Sequence, residues 1–430
     1  MFTGVALEME FDMPNHATGF RTRIFYGWLV VVAAFAITFI GFGSAYTFSA
    51  FLEQLEHDFG ASRGSVSLVF SVAGFLYFGL GVISGPLADR FGARPLAVTG
   101  MVLLAAGLAL ASLAHSLVEV YAAYGLGIGL GVGCAYVPAI GAVQRWFVRR
   151  RGFASGLAVS GIGVGTLVMP PLASLLIDEI GWRGAYLALG ALALVMGAGM
   201  ALLVDNDPRS RGLYPDGDTV PPQGASASNT GAGVREAVRS GRFAGLYAAC
   251  LICSFGVFVP FVHLVPFARD HGIAPAQAAL LLSVIGIGST AGRFFLGSIA
   301  DRMGRERSLL LMFAGMAAAL GLWAVSDRLL SLSAFAFIYG VFYGGWVAVL
   351  PAVVMDYFGG RNVSGIIGIL YTSVAFGTLI GPSAAGFAFD LSHSYELPII
   401  VSAATNVVAA AIVALSSRSA ARSAGPVFQQ

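Results

Sequence analysis

The sequence predicts an all-α integral membrane protein in which twelve transmembrane helices form two six-helix pseudo-repeats. Three observations predict this fold class: the composition, twelve long apolar runs, and a loop motif that occurs twice. Hydrophobic residues make up 57% of the 430 residues and charged residues only 11%, whereas soluble domains carry about 25% charged residues. Together with a net charge of only +2, this composition excludes a soluble enzyme, a disordered chain and a nucleic-acid binder.

The twelve apolar runs are each long enough to cross a hydrocarbon core of about 30 Å as a helix. One run contains GLGIGLGVG at Gly125–Gly133. A phosphate-binding loop would need a strand before it, so we interpret these glycines as close helix packing in lipid. The runs cover residues 26–52, 65–88, 95–113, 117–144, 152–178, 183–204, 243–269, 276–300, 307–325, 332–355, 364–389 and 396–416.

The positions of the basic residues predict the orientation. All 24 basic residues are arginine. If both termini are cytoplasmic, 19 arginines fall in cytoplasmic segments, which is the asymmetry that membrane insertion favours. We therefore expect a multi-pass protein of the cytoplasmic membrane. The four arginines in external loops are Arg63, Arg183, Arg269 and Arg328.

Composition divides the chain into five regions. A cytoplasmic tail covers residues 1–25, and a six-helix half covers 26–204. A cytoplasmic linker rich in Pro, Gly, Ser and Asn follows at 205–242 and has the composition of a flexible connector. The second six-helix half covers 243–416, and a cytoplasmic tail covers 417–430.

The two halves share a loop motif. GPLADRFG at Gly85–Gly92 follows the second span, and GSIADRMG at Gly297–Gly304 follows the eighth. Six-span repeats in parallel orientation, with the substrate site between them near the bilayer midplane, characterise one large class of secondary transporters. The repeat therefore predicts a transporter rather than an enzyme.

The doubled G-x-L/I-A-D-R-x-G loop resembles the signature of the major facilitator superfamily. Within that superfamily, the chain resembles the monocarboxylate transporter family and its bacterial relatives, including oxalate/formate antiporters. The resemblance rests on Tyr26-Gly27-Trp28, on RWFVRRRGFASGLAVSGIGVG at Arg145–Gly165, and on Gly292-Arg293. It implies a secondary transporter of a small organic monocarboxylate that works by alternating access, without a cofactor or a metal.

Arg293 is the only arginine in the interior of a predicted span, and the predicted span interiors contain no Asp or Glu. Intramembrane charges are costly and mark functional sites by default. A guanidinium suits a carboxylate ligand, and the resemblance assigns substrate-carboxylate binding to this position. The alternative is an arginine that snorkels to the nearby cytoplasmic surface.

His263 is the only histidine inside a predicted span, and Pro260 and Pro266 flank it. A broken helix beside a polar cavity would suit such a residue. Because histidine titrates in the physiological range, His263 could bind substrate or carry a proton. The alternative is a structural histidine with satisfied hydrogen bonds.

Four tyrosines within the spans are candidate substrate-binding residues. An aromatic ring with a hydroxyl supplies an apolar wall and a hydrogen-bond donor. The resemblance supports three of them, because they align with pocket aromatics in the oxalate relatives; for the fourth, a packing role is the alternative. The first three are Tyr46, Tyr136 and Tyr343, and the fourth is Tyr371.

The charged residues of the repeated loops are candidate gating residues. A loop carboxylate can cap a helix N-terminus or pair with a nearby arginine, and such contacts form only when the cytoplasmic ends of the halves are close. The alternative is a solvated loop with only a role in orientation. The candidates are Asp89, Arg90, Arg149, Asp301 and Arg302.

The chain departs from the family pattern at three positions linked to coupling and specificity. Ser289 stands where mammalian-type relatives carry an aspartate, and Tyr46 where they carry a lysine. Thr372 stands where oxalate carriers hold a second cation. A single intramembrane cation favours one carboxylate in the substrate.

We expect a monomeric transporter in the lipid bilayer whose partners are a small organic anion and, as coupling ion, a proton. Proton symport is the first choice, and organic-anion exchange is the nearest alternative. Drug efflux by proton antiport is less favoured, because it usually requires a membrane-embedded carboxylate.

Overall fold

The computed structural model describes residues 25–218, 231–359 and 362–423. The predicted N-terminal tail up to residue 24, the centre of the linker, and residues 424–430 lie outside the described residues. The side chains of Asp89 and Asp301 also lie outside them.

Twelve membrane spans follow from the helices of this structure. Ten helices are long and apolar enough to cross a membrane, and a helix pair bent by 40° after Gly79 forms an eleventh span. One of the ten, Phe153–Ala201, has 49 residues and is too long for a single crossing. It breaks at Gly181, whose φ of 72° and ψ of 167° are not helical, and therefore supplies two spans. The described residues confirm the predicted all-α, twelve-span fold.

The spans are numbered in chain order. Spans 5 and 6 are 151–180 and 182–201, on either side of Gly181. The others are span 1, Tyr26–Phe59; span 2, Arg63–Gly79 with Gly81–Phe91; span 3, Ala93–Ser112; span 4, Leu117–Trp146; span 7, Gly241–Asp270; span 8, Pro275–Met303; span 9, Arg305–Ala324; span 10, Leu329–Phe358; span 11, Val363–Ser392; and span 12, Glu396–Ser423.

Span 1 extends beyond residue 52, where the apolar run ends. After a bend at Thr47 it continues as the helix Phe48–Phe59. This segment is amphipathic: Phe51 and Leu55 are fully buried, while Glu53 and Glu56 lie on its more exposed side. The helix continues because its apolar face packs on the C-terminal half of span 7, which hydropathy alone does not reveal.

The two repeated loop motifs have the same backbone conformation. Gly92 ends the first motif with φ 90° and ψ 153°, and Gly304 ends the second with φ 90° and ψ 148°. Only glycine adopts such positive φ values without strain. The structure therefore supports the internal repeat that the sequence predicts.

Close contacts between glycines join neighbouring spans, as GLGIGLGVG predicts. In span 4, a Cβ atom on Gly127 would lie 2.4 Å from the Cα of Gly107 in span 3, and one on Gly131 would lie 2.8 Å from the carbonyl oxygen of Gly100. These glycines allow backbone-to-backbone packing, which is how helices associate in lipid.

The end of the bundle that carries the linker is called the linker end here, and the opposite end is called the far end. The start of the linker is bound to the first half: Trp146 Nε1 donates to Asp205 O at 2.8 Å, and Arg211 stacks 3.6 Å from the Tyr26 ring. The linker's last part is bound to the second half, because Ala232 N donates to Phe358 O at 2.8 Å. The short helix Val234–Val238 packs against span 11.

The glycine contacts between spans 8 and 10 yield a stability prediction. A Cβ atom at Gly288 would lie 2.3 Å from Phe337 O, so Gly288→Ala should force these spans apart and destabilise the fold by about 1–3 kcal/mol. The midpoint of thermal unfolding in detergent should fall by several degrees. The matched control is Gly321→Ala in span 9, where no atom lies within 4 Å and better helix propensity should preserve stability. Equal midpoints for the two variants would contradict this packing argument.

Candidate functional site

A small cavity of about 30 Å³ lies between the two halves, in the interior of the bundle. Four tyrosines that the sequence singles out, Tyr46, Tyr136, Tyr343 and Tyr371, line it together. They come from spans 1, 4, 10 and 11, so both halves contribute. The remaining lining residues are all apolar or aromatic: Phe42, Phe78, Ile162, Phe258, Trp346, Val347, Leu350 and Val374.

Arg293 lies beside this cavity, on span 8. The same four tyrosines are the groups that act electrostatically on its guanidinium. Only 8% of the residue is exposed. Because the residue is buried, the structure does not support the alternative of an arginine that snorkels to the surface.

The guanidinium of Arg293 has unused hydrogen-bonding capacity. Its Nε, Nη1 and Nη2 atoms are all buried, and none has a hydrogen-bond partner among the described residues. Leaving a buried charge uncompensated costs about 3–5 kcal/mol in proteins. A planar donor fork of this kind suits a carboxylate, which can accept two parallel hydrogen bonds.

Tight packing on two sides fixes the position of Arg293. On one side, a Cβ atom at Gly292 would overlap Val341 O of span 10. On the other side, a Cβ atom at Gly163 of span 5 would lie 2.2 Å from Thr290 Oγ1 and 3.2 Å from Arg293 Nη1. Span 8 is therefore held between spans 5 and 10, and the small residues leave room for the long arginine side chain.

Tyr46 and Tyr343 connect the two halves directly across the cavity. Their hydroxyls lie 3.0 Å apart, and the ring of Phe261 lies 4.6 Å from that of Tyr46. Both tyrosines are buried. This pair closes the cavity on its far-end side, while its hydroxyls supply polar atoms to an otherwise apolar wall.

Besides Tyr46, two positions that differ from the family pattern have defined surroundings. Ser289 is buried one turn before Arg293, and its hydroxyl has no hydrogen-bond partner among the described residues. Thr372 lies 3.1 Å from the hydroxyl of Tyr247 and does not line the cavity. Among the described residues, Arg293 is the one arginine whose charge acts on all four lining tyrosines in this conformation.

His263 does not belong to this cavity. Its Nε2 atom lies 2.8 Å from Pro382 O and its Nδ1 atom 3.1 Å from the hydroxyl of Tyr395. Ser67 Oγ, in the other half, lies 3.4 Å from Nε2. The structure thus separates His263 from the four tyrosines and from Arg293, because the histidine lies on span 7 nearer the far end.

The candidate gating residues lie at the linker end; of their side chains, the structure describes those of Arg90, Arg149 and Arg302. Arg90 and Arg302 are exposed. Arg149 pairs with Asp216 and Asp218, both in the linker. The sequence did not predict these contacts of the linker. A composition typical of a flexible connector does not show which residues the linker carboxylates will bind.

The halves are joined at the far end by a set of contacts called the far-end seam. Arg63 of span 2 is its centre: Nη1 donates to Asp270 at 2.7 Å and to the Tyr395 hydroxyl at 3.0 Å. The backbone N–H groups of Arg63 and Gly64 donate to Asp390 at 3.0 and 2.9 Å. A second ion pair joins Glu53 of span 1 to Arg269 of span 7.

Sequence reasoning missed two parts of this arrangement. Arg63 and Arg269 were counted only as external charges, since nothing in their local sequence shows which carboxylates they meet. Trp346 was also missed, although it lines the cavity and its buried Nε1 has no hydrogen-bond partner among the described residues. An aromatic residue three positions after Tyr343 on the same helix was a signal that could have found it.

Comparison with known proteins identifies the family. A model of the Major Facilitator Superfamily matches residues 33–266 and again 244–428. Monocarboxylate transporter 3 of Rattus norvegicus is 32% identical over 400 residues, covering 91% of this chain and 80% of the relative. The chain belongs to the monocarboxylate transporter family of the Major Facilitator Superfamily. It is therefore a multi-pass membrane transporter and not an enzyme.

Two further similarities agree with this membership. Monocarboxylate transporter 13 of Bos taurus is 32% identical over 382 residues, covering 88% of this chain and 86% of the relative. The crystal structure of a bacterial homologue of the human lysosomal transporter Spinster, in an inward-facing and unoccupied conformation, has a TM-score of 0.70 at 18% identity. The alignment covers 91% of this chain and 97% of the other, and it supports the fold.

Proposed function

We propose that this transporter moves a small organic monocarboxylate across the cytoplasmic membrane by alternating access. The observation that carries the proposal is the buried, unpartnered guanidinium of Arg293 beside a cavity between the two halves. A substrate carboxylate would supply the missing anion and accept the free N–H groups. The names of the monocarboxylate transporter relatives support the same substrate class.

The cavity wall favours one carboxylate attached to an apolar body. None of its lining residues carries a charge, and Arg293 is the cation beside it. A second carboxylate would be buried without a cation, which is unfavourable. Tyr46, Tyr136, Tyr343 and Tyr371 would position the substrate body by ring contacts and hydroxyl hydrogen bonds.

The distribution of contacts supports an orientation and a conformational state. With the linker end facing the cytoplasm, as the arginine asymmetry favours, the far-end seam closes the external side. The cavity would then be reached from the cytoplasm. Both termini would be cytoplasmic, and the chain would act as a monomer, since each half supplies part of one site.

The repeated loops would act in the opposite state. When the cytoplasmic ends approach, Asp89 and Asp301 would cap neighbouring helices or pair with arginines such as Arg149. Arg90 and Arg302 are exposed in the present conformation and would be available for the same closure.

Proton symport is the proposed coupling, with anion exchange as the alternative. A carboxylate–lysine relay for protons would need an acidic residue at position 289 and a basic residue at position 46. This chain has Ser289 and Tyr46 there. The proton would then travel with the substrate carboxyl group or through His263. Anion exchange has its own support. A bound anion would neutralise Arg293, so the carrier would change conformation more readily with substrate bound than without it.

The first prediction concerns Arg293→Ala. Uptake of labelled lactate or pyruvate into proteoliposomes should fall by about 30-fold or more, because truncating one partner of a buried charged pair costs about 2–5 kcal/mol. Arg293→Lys should give intermediate uptake, since an ammonium lacks the bidentate fork. Arg235→Ala, at an exposed arginine of the linker helix, is the matched control and should transport normally. Full uptake by Arg293→Ala would overturn the proposed site.

A second prediction distinguishes the two coupling modes. In proteoliposomes with an acidic exterior and no internal anion, symport predicts accumulation of the labelled monocarboxylate that disappears when a protonophore collapses the gradient. Uptake that ignores the pH gradient but accelerates with internal pyruvate, formate or oxalate would replace symport by exchange. Arg293→Ala should be inactive in either assay.

A third prediction concerns the unpartnered N–H of Trp346. Trp346→Phe keeps an aromatic ring but removes the donor, which contributes about 0.5–1.5 kcal/mol per hydrogen bond. The KM for a 2-oxo acid should rise by roughly 2- to 12-fold, while the KM for the alkanoate of equal length should stay unchanged. Equal changes for both substrates would show that Trp346 contributes only packing.

A further inference from the structure

His263 connects the two halves through hydrogen bonds whose donors and acceptors can be assigned. A carbonyl oxygen only accepts, so the 2.8 Å contact with Pro382 O requires a hydrogen on Nε2. Ser67 Oγ donates its own hydrogen to Arg63 O at 2.7 Å, so towards Nε2 it can only accept. In the neutral imidazole Nδ1 then carries no hydrogen and accepts from the Tyr395 hydroxyl at 3.1 Å. This arrangement satisfies both nitrogens of a neutral imidazole.

The network continues from His263 to the centre of the far-end seam. The Tyr395 hydroxyl donates to His263 and accepts from Arg63 Nη1 at 3.0 Å. Arg63 also donates to Asp270 at 2.7 Å and to Glu56 at 3.1 Å, and its guanidinium lies 4.2 Å from the Phe389 ring. The state of the imidazole is thus connected to the contacts that close the far end.

A proton on Nδ1 does not fit this network. Nδ1–H would point at a hydroxyl that already accepts from Arg63, and the hydroxyl hydrogen of Tyr395 would lose its acceptor. A positive charge on the fully buried His263 would also lie close to the largely buried guanidinium of Arg63. The charged and titratable groups around His263 are Arg63 on span 2, Asp390 on span 11, Tyr395 before span 12, Asp270 and Arg269 on span 7, and Glu53 and Glu56 on span 1.

The acidic neighbours do not relieve this conflict. Asp390 accepts the backbone N–H groups of Arg63 and Gly64, and Asp270 and Glu56 accept from the Arg63 guanidinium. Neither ring nitrogen of His263 contacts a carboxylate among the described residues; their partners are a carbonyl and two hydroxyls.

We propose that His263 is a proton-binding site, separate from the substrate cavity, that controls the far-end seam: the seam closes on the neutral imidazole and opens when the imidazole takes up a proton. The closed state binds fewer protons than the open state, so acidification shifts the equilibrium towards opening. The proton enters from the far-end compartment as the seam opens and returns there as it closes. The site therefore sets the gate, and in symport the proton would cross with the substrate carboxyl group rather than through His263.

This inference rests on the proposed alternating access and extends it. With the far end outside, external acid would increase the share of carriers open to external substrate. Such activation would occur with either symport or exchange, because it concerns the gate and not the transported ion.

The test measures gate opening without substrate. Spin labels are attached at His57→Cys in span 1 and Gln277→Cys in span 8, both exposed at the far end, in a background with Cys134, Cys250 and Cys253 replaced by alanine. Pulsed electron–electron distance measurements in lipid nanodiscs follow the open and closed populations between about pH 8 and about pH 5.5. The open-to-closed ratio should rise by up to about tenfold per pH unit below about pH 6.5, which is the limit for one linked proton.

Three variants make the result specific. His263→Gln keeps a donor for Pro382 O but cannot take up a proton, so the ratio should no longer depend on pH. Tyr395→Phe removes the hydroxyl that conflicts with Nδ1–H, and the pH response should be strongly reduced. His271→Gln, at an exposed histidine of the same half, is the matched control and should respond like the parent protein.

Three outcomes would overturn the proposal: a pH-independent ratio in the parent protein, an unchanged response in His263→Gln, or a response that Glu56→Gln abolishes and His263→Gln leaves intact. The proposed function fails separately, through full uptake by Arg293→Ala. Because the distance measurement uses no substrate, a failure of one proposal is distinguishable from a failure of the other.

Discussion

The structure depends on one physical constraint: a permanent cation is held in a low-dielectric interior, and none of the described residues supplies an anion to it. A guanidinium in such a place is tolerated only if its neighbours are polarisable or polar and if a ligand can complete its hydrogen bonds. The four tyrosines around Arg293 meet the first requirement. The second is the basis of the proposed binding site in the cavity between the halves, because the donors of Arg293 have no hydrogen-bond partner among the described residues.

The helical framework around Arg293 follows from the same constraint. The long side chain needs space, and small residues on spans 5, 8 and 10 provide it while allowing backbones to touch. Charge that can be solvated is placed elsewhere: Arg63, Arg269 and their carboxylate partners lie at the far end, where they join the halves. The interior charge is thus the one that we propose binds a ligand, whereas the charges at the far end join the two halves.

Much of the fold and part of the site could be predicted, for identifiable reasons. Span length is set by the bilayer, so twelve apolar runs suffice to find twelve helices. The sequence predicted that Arg293 and the four tyrosines belong to one site. Polar residues inside apolar helices are conspicuous, and the family resemblance aligned Arg293 and three of the tyrosines with site residues of the relatives. His263 met the same criterion but lies in a different place, since hydropathy gives depth along a helix without telling which neighbours it faces.

The sequence by itself determined the membrane environment, the number of spans, the two-fold repeat and the isolated cation, because composition and periodicity are local properties. The tertiary structure alone decided which residues meet across the two halves. It joined Arg63 to Asp270 and Asp390, and His263 to Tyr395 and Ser67, although these partners are far apart in the chain. Such pairings depend on how spans 2, 7 and 11 pack in space. Short loops and apolar helix faces do not encode that packing in any local pattern.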